Sequence, residues 1–219
     1  MIVAEIKPIE EIKKMVKGKN GILLLGCNTC TAVCFASGKR ELELLQTQLP
    51  LSIGKSSLTL WQAVVRRVCE PEMVKEVADY VKEVEAILCL SCGIGVQTVS
   101  DVFPKKEVFP ALNTSFLGRP EKLGLWWEVC VACGDCILHL TGGICPLARC
   151  AKGLLNGPCG GSHEGKCEVS PEVPCAWEMI SARLRERNKL HELEKIRQAG
   201  LVLRKPRQLL RRDIFEDEE

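Results

Sequence analysis

The chain has 219 residues, of which 14 are cysteine, and it carries a formal net charge of +2. A hydrophobic share of 46 % is enough for a normal core and excludes global disorder. The cysteine share lies below the roughly 8–10 % that marks a short secreted disulfide scaffold. The nearly balanced charge and an aromatic share of 5 % argue against a nucleic-acid-binding protein.

The first residues and the longest apolar stretch predict a chain that is neither secreted nor membrane-spanning. Glu5 stands where a signal peptide needs a cationic segment. The longest apolar stretch, residues 86–96, is interrupted by Ser91 and is too short to cross a bilayer. We therefore expect a cytoplasmic protein, in whose reducing surroundings clustered cysteines indicate metal ligands or redox chemistry rather than disulfides.

The spacing of the cysteines divides the sequence into domains. Six cysteines precede residue 130, and eight lie between Cys130 and Cys175. We predict an α/β domain over residues 1–124, a cysteine-rich domain with a C-terminal helix over residues 125–200, and a charged tail over residues 201–219. Residues 181–212 hold eleven Lys or Arg against three Glu, a pattern typical of a solvated helix face or of a docking surface for a partner protein.

Apolar patterns of strand and helix type alternate along the first domain. The strand candidates are residues 21–26, 86–90 and 108–112. The helix candidates are residues 39–49, residues 71–84 and a segment beginning at Gly93. Residues 58–68 fit either a strand or a helix. This alternation predicts a small parallel sheet with flanking helices.

The second domain consists mainly of glycine, cysteine, proline and small residues. It contains no apolar run long enough for a regular core, so we expect it to fold around a bound metal. After it, the spacing of Trp177, Ile180 and Leu184 predicts a helix over residues 176–198.

The most specific motif lies at the start of the cysteine-rich domain. Cys130, Cys133 and Cys136 are separated by two residues each, and a Cys-Pro pair follows at Cys145. This pattern is typical of the cluster-binding segment of bacterial ferredoxins, in which short spacers turn successive thiolates toward one centre. Four more cysteines follow, namely Cys150, Cys159, Cys167 and Cys175. Eight thiols are sufficient for two [4Fe–4S] clusters, and the spacing leaves open how the eight divide between them.

Zinc is the alternative metal for these thiols. Cys130 and Cys133 with a later pair of cysteines would form a structural four-thiolate zinc site. His139 and His163 lie in the same segment and are possible replacements for a thiolate. The third closely spaced cysteine, Cys136, favours iron–sulfur chemistry over zinc.

A second group of cysteines lies in the α/β domain. Cys27, Cys30 and Cys34 follow the first strand candidate, and Cys92 follows the second. Since the carboxyl ends of parallel strands meet at one edge of a sheet, these four thiols are predicted to hold a third cluster. Two alternatives stay open, which are Cys89 as the fourth ligand and a thioredoxin-like dithiol of Cys27 with Cys30.

The remaining cysteine, Cys69, lies in an apolar segment and is expected to be a small buried residue. With three histidines and no paired nucleophile and base, the sequence contains no catalytic constellation. A chain with several clusters and no substrate chemistry is predicted to be a non-catalytic electron carrier.

Several short motifs of the second domain resemble one family. They are residues 130–136, 141–146, 149–152, 155–161 and 165–168, of which the Asn-Gly-Pro-Cys run ending at Cys159 is the most specific. They closely resemble the methylenetetrahydrofolate reductase C-terminal domain family. Residues 26–30 and 92–97 are similar to the domain that precedes it in free-standing members.

The resemblance implies the small iron–sulfur subunit of the two-subunit methylenetetrahydrofolate reductase of acetogenic bacteria, an enzyme of the Wood–Ljungdahl pathway. Such a subunit would pass electrons from ferredoxin or an electron-bifurcating complex to the flavin of a larger catalytic subunit. That partner would reduce methylenetetrahydrofolate to methyltetrahydrofolate. The family domain has also been described as zinc-binding, which implies the alternative of a scaffold module that assembles the reductase without carrying electrons.

Overall fold

A computed structural model describes residues 1–54 and 58–197 of the chain. The chain divides into two compact units, the first over residues 1–132 and the second beginning at Cys133. The unit division therefore lies after the last strand of the first unit, whereas the cysteine density indicates a boundary near residue 124.

The first unit contains two sheets. Its strands are β1 (Ile2–Ile6), β2 (Gly21–Cys27), β3 (Thr59–Val65), β4 (Ala86–Leu90), β5 (Glu107–Pro110), β6 (Leu112–Lys122) and β7 (Leu125–Cys130). Four of them form a parallel sheet in the order β3-β2-β4-β5, and the other three form an antiparallel sheet in the order β1-β6-β7. The predicted α/β fold with a small parallel sheet is confirmed.

Six helices accompany these strands in the described part of the first unit. They are α1 (Ile9–Met15), α2 (Cys30–Val33), α3 (Lys39–Ile53), α4 (Pro71–Lys75), α5 (Ala78–Lys82) and α6 (Gly93–Val102). The prediction of a single helix over residues 71–84 is wrong, because the helical structure is interrupted at Glu76 and Val77, between α4 and α5. The ambiguous segment at residues 58–68 contains the strand β3.

Every residue of β2 and β4 is buried, because the parallel sheet has a core on each face. One core packs Ile22 and Leu24 against α1 and α3. The other packs Leu23 and Leu25 against α4, α5 and α6. Alternate side chains of a strand point to opposite faces, so the residue number decides which core a β2 side chain enters.

Gly26 of β2 packs directly against the Leu42 side chain of α3. A Cβ at position 26 would overlap the Leu42 Cδ1 atom, and Leu42 is fully buried. We expect Gly26→Ala to lower the free energy of unfolding by about 1–3 kcal/mol, because the added methyl group overpacks the core. Urea unfolding followed by circular dichroism measures this loss. Gly93→Ala is the control, since its nearest neighbour is the Thr114 Oγ1 atom at 3.7 Å, and equal midpoints for the two variants would contradict the packing argument.

The second unit has little regular structure. Its described helices are α7 (Pro146–Arg149), α8 (Ala176–Glu186) and a 3-10 helix (Leu190–Glu194). Trp177, Ile180 and Leu184 of α8 form a small core with Ile144. The helix expected over residues 176–198 ends earlier, because the chain turns at Asn188, which has a φ of 55°. The last residue of that expected helix, residue 198, and the charged tail at 201–219 lie outside the described residues.

Candidate metal centres

Four cysteines of the second unit line one narrow cavity. They are Cys150, Cys159, Cys167 and Cys175, and they come from four separate loop positions. The other lining residues include Trp177, which also belongs to the small core of this unit. The sequence alone left the partition of the eight cysteines open, and this cavity groups the last four of them.

Backbone hydrogen bonds hold three of these cysteines in place. The Cys167 N–H donates to the Val173 carbonyl at 2.9 Å, and the Cys175 N–H donates to the Gly165 carbonyl at 2.8 Å. These bonds fold residues 163–175 into an irregular hairpin that carries both thiols. The Cys150 N–H donates to the Pro146 carbonyl at 2.9 Å and so closes α7.

Cys175 also directly precedes α8, which has 11 residues.

Polar groups surround the Cys159 sulfur. The Gly161 N–H donates to the Cys159 Sγ atom at 3.4 Å, and the Cys159 thiol donates to the Glu168 Oε1 atom at 3.2 Å. Glu168 also forms an ion pair with Lys152. The hydrogen bond from Lys152 is the main cause that lowers the pKa of Glu168 below its usual range, and the same bond raises the pKa of Lys152. Backbone N–H groups and cations near a cluster sulfur are among the groups that tune its reduction potential.

The four remaining cysteines of the ferredoxin-like motif lie at the end of a strand or in irregular segments. Cys130 is the last residue of β7, and the Ala132 N–H donates to its Sγ atom at 3.4 Å. In the second unit, Cys133 and Cys136 lie in an irregular segment, and Cys145 directly precedes α7. Cys130 and Cys136 are exposed, whereas Cys133 and Cys145 are half-buried.

The two histidines considered as thiolate replacements, His139 and His163, are exposed. Across residues 1–54 and 58–197, no three or more His, Cys, Asp or Glu side chains form a group that could hold a metal ion as they stand.

In the first unit, Cys27 and the alternative ligand Cys89 share one core of the parallel sheet. Cys27 ends β2, and its pairing partner on β3 is Val65. Cys89 of β4 pairs with Leu25 of β2, so Cys27 and Cys89 point to the same face of the sheet and enter the same core. Cys92 follows β4 and directly precedes α6.

Cys34 lies apart from that core. The buried Cys34 thiol packs in the opposite core and lies 3.6 Å from the Ile2 carbonyl oxygen and 3.3 Å from the Cys30 carbonyl oxygen. Burial is the main cause that raises the pKa of Cys34, and the neighbouring Cys30 raises it further. The structure therefore does not group Cys34 with Cys27, although both belong to the predicted four-thiol set.

Cys69 is the residue that the sequence reasoning missed. It is exposed, so the prediction of a buried apolar residue is wrong. Its position shortly after β3 could have indicated that it lies at the same edge of the sheet as the end of β2, because loops that follow parallel strands meet at one edge of the sheet.

The donor set around the cavity of the second unit fits an iron–sulfur cluster in its chemistry. Its four thiols are of the ligand type that cubane clusters require, and they come from separate positions in the sequence. Four-thiolate zinc sites use the same donors, so the metal has to be identified by analysis.

Comparison with known families matches part of the chain. Residues 109–200 match a family model described as methylene-tetrahydrofolate reductase C terminal, and the matched segment is less than half of the chain. No curated protein and no solved structure matches the chain. The matched segment contains all eight cysteines of the region between Cys130 and Cys175. No helix in the described ranges is long and apolar enough to cross a membrane.

Proposed function

We propose that this chain is a non-catalytic electron-transfer subunit of a methylenetetrahydrofolate reductase. The observation that carries the proposal is the cavity lined by Cys150, Cys159, Cys167 and Cys175, which lies within the segment that matches the reductase-related family. Clusters of the [4Fe–4S] type, when bound, would supply reversible one-electron transfer. The acceptor would be the flavin of a catalytic subunit that reduces methylenetetrahydrofolate to methyltetrahydrofolate.

The proposal assigns the eight thiols of the matched segment to two sets. The first set is the four cysteines that line the cavity. The second set is Cys130, Cys133, Cys136 and Cys145, and it is proposed on their ferredoxin-like spacing.

The chain's own residues would hold and tune the centre in the cavity. The hairpin over residues 163–175 would orient the Cys167 and Cys175 thiolates. The Gly161 N–H would remain as a donor to the Cys159 sulfur, while Lys152 would compensate for negative charge beside it. Ferredoxin or an electron-bifurcating complex is the proposed electron donor.

An electron-transfer experiment tests this function. The chain is purified without oxygen, reduced with dithionite, freed of excess reductant and mixed with the oxidised flavin subunit. We expect the flavin absorbance to bleach in proportion to the reduced chain added. Ser162→Ala changes a residue that lines the cavity but leaves the four thiols in place, and it is expected to behave like the native chain.

Two results would contradict the proposal. One is a flavin that stays oxidised although the two chains form a complex. The other is a colourless chain that holds zinc and no sulfide, which is the result that the alternative scaffold function requires.

A further inference from the structure

The carboxyl edge of the parallel sheet carries a second group of thiols in the first unit. The strand order β3-β2-β4 places the loop after β3 and the loop after β4 on either side of the end of β2. Cys69 lies in the first of these loops, Cys27 ends β2, and Cys92 lies in the second loop. The three cysteines thus follow three neighbouring strands.

Cys89 lies in β4, one residue before the end of the strand, and points to the same face of the sheet as Cys27. It is fully buried in the core that also holds Cys27 and Val68, the residue before Cys69. The contact between the two loops is close, since a Cβ at Gly95 in the first turn of α6 would meet the Val68 Cγ1 atom at 3.0 Å. The loop that carries Cys69 therefore packs against the start of the helix that Cys92 precedes.

The electrostatic interactions of these thiols agree with this placement. Desolvation is the main cause that raises the pKa of Cys69, and negative charge on Cys27 and Cys92 raises it further. Burial raises the pKa of Cys89 to about 12, a hydrogen bond with Ser91 opposes that shift, and Cys27 and Cys92 again add to it. Cys27 and Cys92 each interact with both of the other two thiols.

These observations favour a ligand set different from the one that spacing suggests. Cys30 and Cys34 belong to the same sequence motif as Cys27, but the Cys34 thiol is buried in the opposite core. Cys89 and Cys92 have the two-residue spacing common in iron–sulfur ligands, while Cys27 ends β2 and Cys69 lies in the loop after β3. Metal binding requires these thiols to be deprotonated, and a bound metal centre would neutralise the charge of the resulting thiolates.

We propose that Cys27, Cys69, Cys89 and Cys92 bind an additional [4Fe–4S] cluster at the carboxyl edge of the parallel sheet. Cys34 and Cys30 are not ligands of this centre. The proposed site uses residues of the first unit alone, so its existence does not depend on the clusters proposed for the second unit.

Single substitutions in the full chain test this ligand set. Cys69→Ser is the main variant, because Cys69 is exposed and its replacement leaves the core intact. Cys34→Ser and Cys30→Ser are the matched controls from the alternative set. Iron, sulfide and zinc are measured on anaerobically purified protein, and circular dichroism checks that each variant is folded.

We expect Cys69→Ser to lose about four iron and about four sulfide per chain, the content of one cubane, while both controls keep the native content. Retention of all iron by Cys69→Ser would overturn the proposal. A loss of iron in Cys34→Ser or Cys30→Ser would also overturn it, since it would restore the ligand set predicted from spacing. If the native chain holds zinc without sulfide and Cys69→Ser loses that zinc, the assignment of an iron–sulfur cluster to this site is overturned.

The outcome for this site is separate from that of the proposed function. Cys167→Ser in the same assay reports on the second unit alone. Loss of iron in Cys167→Ser together with full iron content in Cys69→Ser would support the proposed function and refute this additional site. The reverse pattern supports the site and refutes the assignment of the cavity in the second unit.

Discussion

Replacing Cys167 with serine is expected to remove about four iron and about four sulfide per chain, the content of one cubane, and to weaken the fold of the second unit. The four cysteines around the cavity come from separate loop positions, so a centre bound there would cross-link a segment with little regular structure. Free energy of metal binding then becomes free energy of folding. Loss of one ligand should reduce both metal content and resistance to proteolysis.

Pairs of substitutions test whether the four thiols serve one centre. Cys150→Ser combined with Cys167→Ser should lose no more iron than either single variant, because both residues line the same cavity. Cys133→Ser combined with Cys167→Ser should lose about twice as much, since Cys133 is assigned to the other set on its spacing. Ser162→Ala is the control within the cavity and should keep all its iron. Additive losses in the first pair would contradict the grouping.

Replacing Trp177 with alanine is the second large effect that we expect. Trp177 is 2 % exposed, lines the cysteine cavity and packs with Ile180 in the core of the second unit. Its indole Nε1–H donates to the Leu154 carbonyl at 3.1 Å. Truncation of a buried tryptophan costs about 3–5 kcal/mol, which is a large part of the stability of a small unit.

Chemical unfolding of the chain, followed by far-ultraviolet circular dichroism, measures this loss. Leu190→Ala is the matched control, because Leu190 is an exposed residue of the same unit and should change stability by less than about 0.5 kcal/mol. Trp177→Phe keeps most of the packing and removes the hydrogen bond, so its cost should lie between those of the other two variants. A Trp177→Ala chain as stable as Leu190→Ala would show that α8 contributes little to the unit.

The parallel sheet was predictable because its strands are buried on both faces. Continuous apolar runs at residues 21–26 and 86–90 have no other common explanation at that length, and both are strands. The antiparallel sheet was not predicted. Residues of β6 and β7 include charged side chains and Pro120, and their strand character depends on pairing with each other and with β1.

The candidate sites differ in how much of them could be read from the sequence. Spacing within a short segment predicts the cysteines between Cys130 and Cys175 as ligands, because ligands that are close in sequence can turn toward one centre. In the first unit, Cys30 and Cys34 continue the motif of Cys27, but Cys34 enters the opposite core, which spacing does not reveal. The pairing of β2 with β3 places Cys27 beside Val65, four residues before Cys69, and this proximity appears only when strand order is known.

The metal and sulfide content of the native chain, purified without oxygen, tests the central claim most directly. We expect iron and acid-labile sulfide in equal amounts, with an electron paramagnetic resonance signal on reduction. About eight of each per chain should come from the cysteines between Cys130 and Cys175, and about four more from the site proposed at the carboxyl edge of the parallel sheet. A colourless protein that contains zinc and no sulfide would contradict an electron-transfer role for this chain.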